Sequence, residues 1–459
     1  MNYRKRFKDQ ASEILNTKTP HLDFEGKVMF NEPSPVTAKP HFKWAIYAPV
    51  FAGVAALGVI LGVALWPKSY DVMRTPSYYM NTPAERKEGG DVSFNNSASS
   101  LEVYNKFVAS FSPLVFSGNF DARSFSPVDA FVNVAILGYT STGTSQTEIL
   151  DALDVDTVEE LNQVTKDVID VLGSGAGYAL NSFWYDDALY DLREGSDNLL
   201  EVLSNYYYTN VIARRPTSAL VNEWLDIYVP KERFPIVPKV EIDDANTVAA
   251  IVSSYFAKNT WANESLSETF ENQYVSQNHK MTFHGESDKE VDFIEYGGFP
   301  LTGDDYLGVE MYLESMKINF FLPDVGKGPH DIFDSVLTYG YTKDIETNLG
   351  AHVPYFKIDN RLNLMTPLMD YGVNSVFDSH AAAGLINSNS LLVTAIEQFS
   401  TMRFDFGGIY SASVTVTSIG ESAGDNFSEA PLVFDRPFAF SLSYHGAMIL
   451  VGQVYNPNY

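Results

Sequence analysis

The stretch that decides the fold runs from Phe404 to Pro437 and reads FDFGGIYSASVTVTSIGESAGDNFSEAPLVFDRP. Its first part, Gly408–Ile419, contains no charge and no proline and is rich in Val, Thr, Ser and Ile, a composition typical of a β-strand. Its second part, Gly420–Pro431, is rich in Gly, Ser, Asp, Asn and Glu, which indicates an exposed loop. A segment that can form a strand therefore continues directly into a loop, although the two halves favour different environments.

Composition excludes several classes of function. The 459-residue chain has 19% charged and 14% aromatic residues, which is typical of a globular protein with a large core. Its net charge of −27 argues against nucleic-acid binding, because such a surface cannot neutralise phosphates. The absence of cysteine excludes disulfide bonds and thiolate metal sites. We expect a monomer, and we expect neither a metal nor another cofactor.

One segment predicts a membrane anchor. Trp44–Trp66, WAIYAPVFAGVAALGVILGVALW, runs for 23 residues without a charge. At about 1.5 Å per residue, a helix of this length spans roughly 34 Å, enough for the hydrocarbon core of a bilayer. A tryptophan stands at each end, as membrane interfaces favour. A buried core helix is the simpler alternative. A cleaved signal peptide fits poorly, because the basic leader and the apolar run are too long and no small-residue cleavage site follows.

The charges around this segment predict its orientation. Eight Lys and Arg residues precede it, whereas only Lys68, Arg74, Arg86 and Lys87 follow closely. The positive-inside rule therefore places the N-terminus in the cytoplasm and the bulk of the chain at the cell surface. We divide the chain into a cytoplasmic leader (1–43), a transmembrane helix (44–66), an extracellular tether (67–98) and one folded domain (99–459).

Hydrophobic periodicity in the folded domain predicts helices first and strands later. Apolar residues from Leu101 to Phe111 recur at helical spacing, Ser126-Pro127 begins a second helix, and Thr157 with Glu160 resembles a capping box before a third. A further helix followed by a turn is predicted at Asn360–Val376. The predicted strands are Ala179–Tyr185, Ala249–Phe256, Val309–Leu313, Lys317–Leu322, Thr401–Phe406 and Phe438–Tyr444. Because helices and strands do not alternate regularly, an α+β fold with antiparallel or mixed sheets is expected.

Several groups of residues, in consistent order and spacing, resemble motifs of the serpin family over nearly all of residues 100–459. They are Phe125-Ser126-Pro127 with Ala135-Ile136-Leu137 and TSQTEILDAL (Thr144–Leu153) for the opening helices, Asn181-Ser182-Phe183-Trp184 for the central strand of the main sheet, Val221-Asn222-Glu223-Trp224 for a helix start, Ser254–Trp261 for a strand end, and Phe434-Asp435-Arg436-Pro437-Phe438 with Gly446, Ile449, Leu450, Gly452, Val454, Asn456 and Pro457 for the closing signature.

The resemblance implies a serpin fold, with N-terminal helices, a large central mixed β-sheet, further β-sheets and an exposed reactive-centre loop. It also implies a suicide inhibitor of serine, sometimes cysteine, proteases rather than an enzyme. In that mechanism the loop is offered as a substrate, the protease forms an acyl-enzyme, and the cut loop inserts into the main sheet as an extra strand. Insertion distorts the active site of the attached protease.

The resemblance assigns the hinge of the reactive loop to Gly408–Thr415. Matching Gly408 to the family's hinge glycine places alternate residues on the inward and outward faces of the inserted strand. The inward set is Ile409, Ser411, Ser413 and Thr415, and the outward set is Tyr410, Ala412, Val414 and Val416. None of them carries a charge that insertion would bury.

The hinge departs from the family pattern Glu-x-Gly-Thr-x-Ala-Ala-Ala. Phe406, Ile409 and Tyr410 replace its acid, its threonine and a common second acid. Gln398 stands where the family has a sheet-opening histidine, and Asp129 where a helix serine is expected. These departures leave open a second interpretation, a non-inhibitory serpin that acts as a surface binding or interaction protein.

Counting fifteen residues along from Gly408 places the cleaved bond between Ser422 and Ala423. The loop up to Arg436 looks longer than the common family length, so the bond lies somewhere in Ile419–Asn426. A small residue before the cut suits elastase-like or subtilisin-like proteases, whereas Glu421 suits a glutamyl-specific one. Because this window has no Arg or Lys, a trypsin-like target is not expected.

Other motifs have simpler interpretations. Gly420-Glu421-Ser422-Ala423-Gly424, followed by Asp435 and His445, matches the pattern of a serine hydrolase, but no helix is predicted after the serine. His279 and His284 lack the spacing of a zinc site, and Asp243-Asp244 and Asp304-Asp305 are typical of solvated turns rather than calcium sites. Tyr206-Tyr207-Tyr208 and Trp261 indicate packing. Asn263 and Asn426 begin glycosylation sequons.

Overall fold

The computed structural model describes residues 78–83, 98–117, 124–173, 177–234, 237–261, 280–285, 287–405, 408–411 and 431–457. All of them belong to one of two compact units, Ser77–Tyr459. None of the helices in these residues is long and apolar enough to cross a bilayer. The predicted transmembrane segment 44–66 and the predicted leader 1–43 lie outside the described residues and stay predictions.

Most helices lie in the first part of the described domain. The helices of the described residues are α1 Ala98–Phe116, α2 Pro127–Thr140, α3 Thr144–Ala152, α4 Val158–Leu172, α5 Asp197–Asn205, α6 Ser218–Tyr228, α7 Phe333–Leu337 and α8 Met365–Asp370, with 3-10 turns at Pro329–Asp331 and Ser375–Phe377. The predicted capping box holds in part, because the Thr157 hydroxyl accepts from the backbone N–H of Glu160 at 3.1 Å. The Glu160 carboxylate accepts instead from the N–H of Asp156, at 2.8 Å.

Two β-sheets follow. The strands are β1 Ser124–Phe125, β2 Gly177–Tyr185, β3 Thr209–Ala213, β4 Ala249–Asn259, β5 Lys280–His284, β6 Asp288–Thr302, β7 Tyr306–Tyr312, β8 Lys317–Pro323, β9 Thr342–Lys343, β10 Leu349–Pro354, β11 Phe356–Asn363, β12 Glu397–Asp405, β13 Gly408–Ser411, β14 Leu432–Val433, β15 Phe438–Tyr444 and β16 Ala447–Val454. The first sheet has six strands in the order β11-β12-β13-β4-β2-β3. The second follows the order β1-β16-β15-β8-β7-β6-β10-β14, with β5 and β9 also paired to β6.

The six-stranded sheet is mixed, as the resemblance implied. Strands β2 and β3 are parallel, whereas the pairs β2–β4, β4–β13, β13–β12 and β12–β11 are antiparallel. One large apolar core joins α1, α2 and α4 to both sheets, and a second cluster packs α6 against β2, β3 and β4. The expected α+β class with mixed sheets is therefore confirmed.

One predicted helix is wrong in its first part. Asn360–Asn363 belongs to β11 and pairs residue by residue with Glu397–Ser400 of β12. The helix begins only at Met365. The strand conformation depends on backbone hydrogen bonds to a partner about 40 residues away, which local periodicity does not reveal.

Candidate functional site

The candidate site is the end of the six-stranded sheet where β13 lies between β12 and β4. On one side Ile409 pairs with Phe404 of β12, and on the other side it pairs with Asn259 of β4. Both pairings are antiparallel. The Ile409 side chain is 2% exposed and belongs to the apolar core, because the pleat of the strand directs it inward. Residues 408–411 of the predicted hinge therefore form a strand within the sheet.

Gly408 begins this strand in a conformation that side chains rarely adopt. Its φ is +113°, and a Cβ atom here would lie 2.4 Å from the backbone oxygen of Asn259 and 2.8 Å from the Cα of Thr260. The adjacent backbone is held firmly. The indole N–H of Trp261 donates to the backbone oxygen of Asp405 at 3.2 Å. Only glycine fits the close approach of the two backbones at this point.

The C-terminal end of β4 is also fixed by side-chain contacts. The Asn259 side chain donates to the Ser315 hydroxyl at 2.8 Å and accepts from the Ser315 backbone N–H at 3.1 Å. The Trp261 ring packs edge-on against the Phe404 ring, with centroids 5.6 Å apart. These contacts fix the ends of β4 and β12 between which β13 lies, so that β13 pairs with two well-positioned strand edges.

Beyond Ser411, no strand of the described residues pairs with β4 or β12 on the sides that face each other. Strand β12 keeps its pairing with β11 down to Glu397, and β4 keeps its pairing with β2 down to Ala249. The paired part of β13 ends at Ser411, opposite Ala257. A cleft of about 530 Å³ lies here, lined by β4, β12 and the first half of α2. We call this cleft the slot. Its walls are two strands, and a strand is the element whose backbone would fit between them.

Gln398 joins β12 to the helix that forms the floor of the slot. Its side-chain oxygen accepts from the backbone N–H of Ser126 at 2.7 Å, and its side-chain nitrogen donates to the backbone oxygen of the same residue at 2.8 Å. Gln398 is buried, so both bonds form away from water. Gln398 therefore holds β12 against the N-terminus of α2.

Asn133 performs a related role on the other wall. Asn133 belongs to α2, and its side-chain amide donates to the backbone oxygen of Ile251 in β4 at 3.2 Å. No sequence pattern predicted this contact, because an isolated asparagine in an apolar helix has no distinguishing neighbours. Two side-chain contacts of α2 thus attach the helix to both walls of the slot.

Asp129 lies on the same helix and lines the slot. Burial raises the pKa of its carboxyl well above the ordinary value of 3.8, and the neighbouring Ser126 hydroxyl offsets this only in part. Tyr104 of α1 and Tyr255 of β4 interact with the same carboxylate. A buried acid at this position makes the native state sensitive to pH.

The remaining predicted hinge residues, Ala412, Ser413, Val414 and Thr415, lie outside the described residues. So do Ser422 and Ala423 of the predicted cleaved bond, of which Ser422 is also the serine of the hydrolase pattern. Their roles stay predictions. His279 and both sequons also lie outside the described part of the chain.

The other candidate sites have structural roles where they are described. Tyr207 is fully buried and donates to Asn162 at 2.7 Å, and Tyr208 donates to Asp170. Asp243 caps a tight turn by accepting from Asn246 at 2.8 Å, and Asp244 accepts from the N–H of Ser218 at 2.7 Å. No three potential metal ligands cluster among the residues that the structure describes.

Comparison with known proteins agrees with this geometry. The sequence model of the family described as Serpin (serine protease inhibitor) matches residues 115–457. An alpha-1-antiproteinase of Callosciurus caniceps is 25% identical over 354 residues, covering 72% of this chain and 82% of its own length. A serine protease inhibitor of Cyanea capillata is 21% identical over 393 residues, covering 76% of this chain and 96% of its own length. The chain belongs to the serpin family.

Solved structures give the same fold. Serpin48 of the insect Tenebrio molitor has a TM-score of 0.63 at 17% identity and covers 79% of this chain and 99% of its own. The thermophilic serpin Tengpin in its native state has the same TM-score and identity, with coverage of 82% and 97%. Thyroxine-binding globulin in complex with thyroxine has a TM-score of 0.60 at 16% identity and covers 80% and 100%. At these identities the likeness shows the fold alone.

Proposed function

We propose that this serpin is a membrane-anchored suicide inhibitor of serine proteases whose cleaved reactive loop inserts into the slot. One observation carries the proposal. The first four hinge residues, Gly408–Ser411, already form a strand between β12 and β4, and the slot continues beyond them along the same two walls. The residues that follow in sequence are uncharged up to Ile419. Neither wall would have to accept a buried charge.

The register of β13 supports full insertion. Continued along β12, the observed pairing would bring Val416 opposite Glu397, the first residue of that strand. Continued along β4, it would bring Ile419 opposite Ala249. The predicted cleavage window, Ile419–Asn426, therefore begins where the β4 wall of the slot ends, three residues after the end of the β12 wall. A loop cut there is long enough to fill the slot and short enough to hold the attached protease at its far end.

The chemistry is that of an interrupted proteolysis. The hydroxyl of the protease's serine attacks the carbonyl carbon of the residue before the cut, for which Ser422 is our candidate. An ester forms, the peptide bond breaks, and the amine of the next residue, Ala423, leaves with the proton that the serine lost. Insertion of the upstream segment distorts the protease before water hydrolyses the ester. We expect elastase-like or subtilisin-like targets, because the residues around this bond are small.

The location of the inhibitor is part of the same proposal. The charge-free segment Trp44–Trp66 and the basic residues before it support a single-pass anchor with the serpin domain at the cell surface. The inhibitor would then act on secreted or foreign proteases that reach the membrane.

The alternative is a non-inhibitory serpin that binds a partner at the cell surface. The hinge departures favour it, since Ile409 is larger than the family's threonine and already occupies the core. A denaturing gel separates the two functions. Full-length protein incubated with pancreatic elastase or subtilisin should give a band at the summed mass that survives detergent. Protease with its catalytic serine replaced is the control and should give none. Cleavage of the loop without such a band would leave only the binding function.

A further inference from the structure

The chain enters the described domain along the free edge of the six-stranded sheet. Residues 78–83, which we call the clip, lie beside β3, and Tyr79 pairs with Ile212 in an antiparallel bridge. The backbone N–H of Met80 donates to the oxygen of Val211 at 2.8 Å, and the N–H of Ala213 donates to the oxygen of Tyr78 at 2.8 Å. The clip therefore extends the sheet by a short strand, although the sequence predicted only a tether here.

Asn81 fixes the clip through three hydrogen bonds. Its side-chain nitrogen donates to the backbone oxygens of Thr209 at 3.0 Å and Leu200 at 3.2 Å. Its side-chain oxygen accepts from the N–H of Val211 at 2.7 Å. The clip thus contacts both β3 and α5, because Leu200 belongs to α5.

A ring contact joins the clip to α6. The Tyr79 ring meets the Tyr228 ring edge-on, with centroids 6.3 Å apart. Burial is the main reason that the pKa of Tyr79 is raised. With Asn81, this residue ties the incoming chain to the half of the sheet formed by β4, β2 and β3, so a pull on the upstream chain would be transmitted to that half.

The registers show at which end of the sheet the clip lies. Ile212 of β3 pairs with Trp184 of β2, which pairs with Ala250 of β4. The hinge enters nine residues further along β4, where Ile409 pairs with Asn259. At about 3.3 Å per residue the clip and the hinge are separated by about 30 Å along the strands. The clip is therefore level with the end of the slot that lies opposite the hinge.

We propose that the membrane tether joins the domain at the end of the sheet to which a trapped protease is carried, so that the uncut loop faces away from the bilayer and trapping moves the protease toward it. This rests on the proposed function, for both the anchor and the trap. Between Trp66 and Tyr78 stand residues 67–77, which span at most about 40 Å when extended. The effective tether therefore ends at the clip and not at residue 98, where the sequence predicted its end, and this shorter length limits the distance between the domain and the membrane.

The orientation is tested first, without any protease. The chain has no cysteine, so D187C and E314C each carry a single dye. Asp187 is exposed just beyond β2 at the clip end. Glu314 is exposed at the hinge end, where its N–H donates to the oxygen of Thr260 at 3.0 Å. With full-length protein in vesicles that contain an acceptor lipid, we expect energy transfer to be about twofold or more higher from D187C, because the two sites differ by about 30 Å. Equal or reversed transfer would overturn the proposal.

Two matched pairs test the clip itself. Asn81→Ala should release the clip and so reduce the difference in energy transfer between D187C and E314C. Met80→Ala changes a 40% exposed side chain and should leave that difference unchanged. An inserted Gly-Ser linker of about 20 residues should lower the transfer when placed between Pro76 and Ser77. The same linker between Gly89 and Gly90 follows the clip and should have no effect. An equal response to both linkers would contradict the proposal.

The last measurement separates the two proposals. Elastase or subtilisin labelled with a donor dye should show higher energy transfer to the lipid in its covalent complex than when it is mixed with vesicles that lack the inhibitor. A covalent complex whose protease shows no such increase would contradict the proposed movement of the protease toward the bilayer. It would still support the proposed inhibition. Failure to form any complex, with the D187C and E314C difference intact, would reject the proposed inhibition and leave the docking of the tether standing.

Discussion

The side chain of Gln398 hydrogen-bonds to both backbone groups of Ser126, accepting from its N–H at 2.7 Å and donating to its oxygen at 2.8 Å. This pair joins the strand that forms one wall of the slot to the helix beneath it. Contacts of this kind hold one wall of the slot in place against α2, so their loss should let that wall move. Four residues around the slot, and the loop itself, yield separate predictions.

Gln398→Ala should lower the Tm and speed spontaneous insertion of the uncut loop. The buried N–H of Ser126 loses its partner, which costs about 1–3 kcal/mol, whereas the Ser126 oxygen still accepts from the N–H of Ala130 at 3.4 Å. Native gels over time would follow the inserted form, and calorimetry the Tm. Gln163→Ala is the control, because Gln163 makes an exposed bond to Asp167 at 2.8 Å whose loss should change neither quantity measurably. An equal effect of both substitutions would refute the role of Gln398.

Gly408→Ala should slow trapping by about tenfold or more, since the backbone strain and the contact with Asn259 cost about 1–3 kcal/mol. The rate of covalent complex formation with elastase or subtilisin measures the effect. Gly326→Ala introduces the same methyl group at a φ of +93° where nothing lies within 4 Å. That control should trap at the normal rate.

Ile409→Arg should abolish trapping and expel β13 from the sheet, because the 2% exposed site has no partner for a buried charge. The gel assay reports trapping, and faster proteolysis of the loop reports its release. Ile409→Val removes one methylene at a cost of about 0.5–1.5 kcal/mol and should still trap. Normal trapping by the arginine variant would show that the alignment of the hinge is wrong.

Asp129 should make the native state less stable as the pH rises. Burial raises the pKa of its carboxyl in the native state, so between 3.8 and that raised value the native state holds the proton more tightly than the unfolded state. The contribution of Asp129 to the free energy of unfolding is therefore greatest below 3.8 and is lost as the pH increases through its native pKa. The Tm of Asp129→Asn should depend less on pH over this range. Asp187→Asn, at an exposed site, should reproduce the dependence of the parent protein.

A single cut in the window Ile419–Asn426 should raise the Tm strongly if the loop inserts, because a new central strand completes the sheet between β12 and β4. Differential scanning calorimetry before and after limited subtilisin digestion measures the change. The control is full-length protein cut once before residue 98, away from the loop, whose Tm should not rise. A nicked loop that leaves the Tm unchanged would favour the non-inhibitory interpretation.

Local pattern predicted much of this molecule. The apolar spacing from Leu101 to Phe111 predicted α1, and the strands at Ala179, Ala249 and Phe438 were confirmed with small differences in their ends. Such elements depend on side chains close in sequence, whose spacing alone directs one face to the core. Asn360–Asn363 was predicted as helix and is a strand, because its conformation is decided by pairing with β12.

The sequence by itself determined the family, the uncharged composition of the loop and the position of the glycine at its hinge. Only the tertiary structure decided that Ile409 is buried between Phe404 and Asn259, that Gln398 and Asn133 attach the walls of the slot to α2, and that the clip lies against β3. Each of these contacts joins segments that are distant in the chain. Their energies depend on which backbones meet in space, and composition and periodicity report only what neighbouring residues favour.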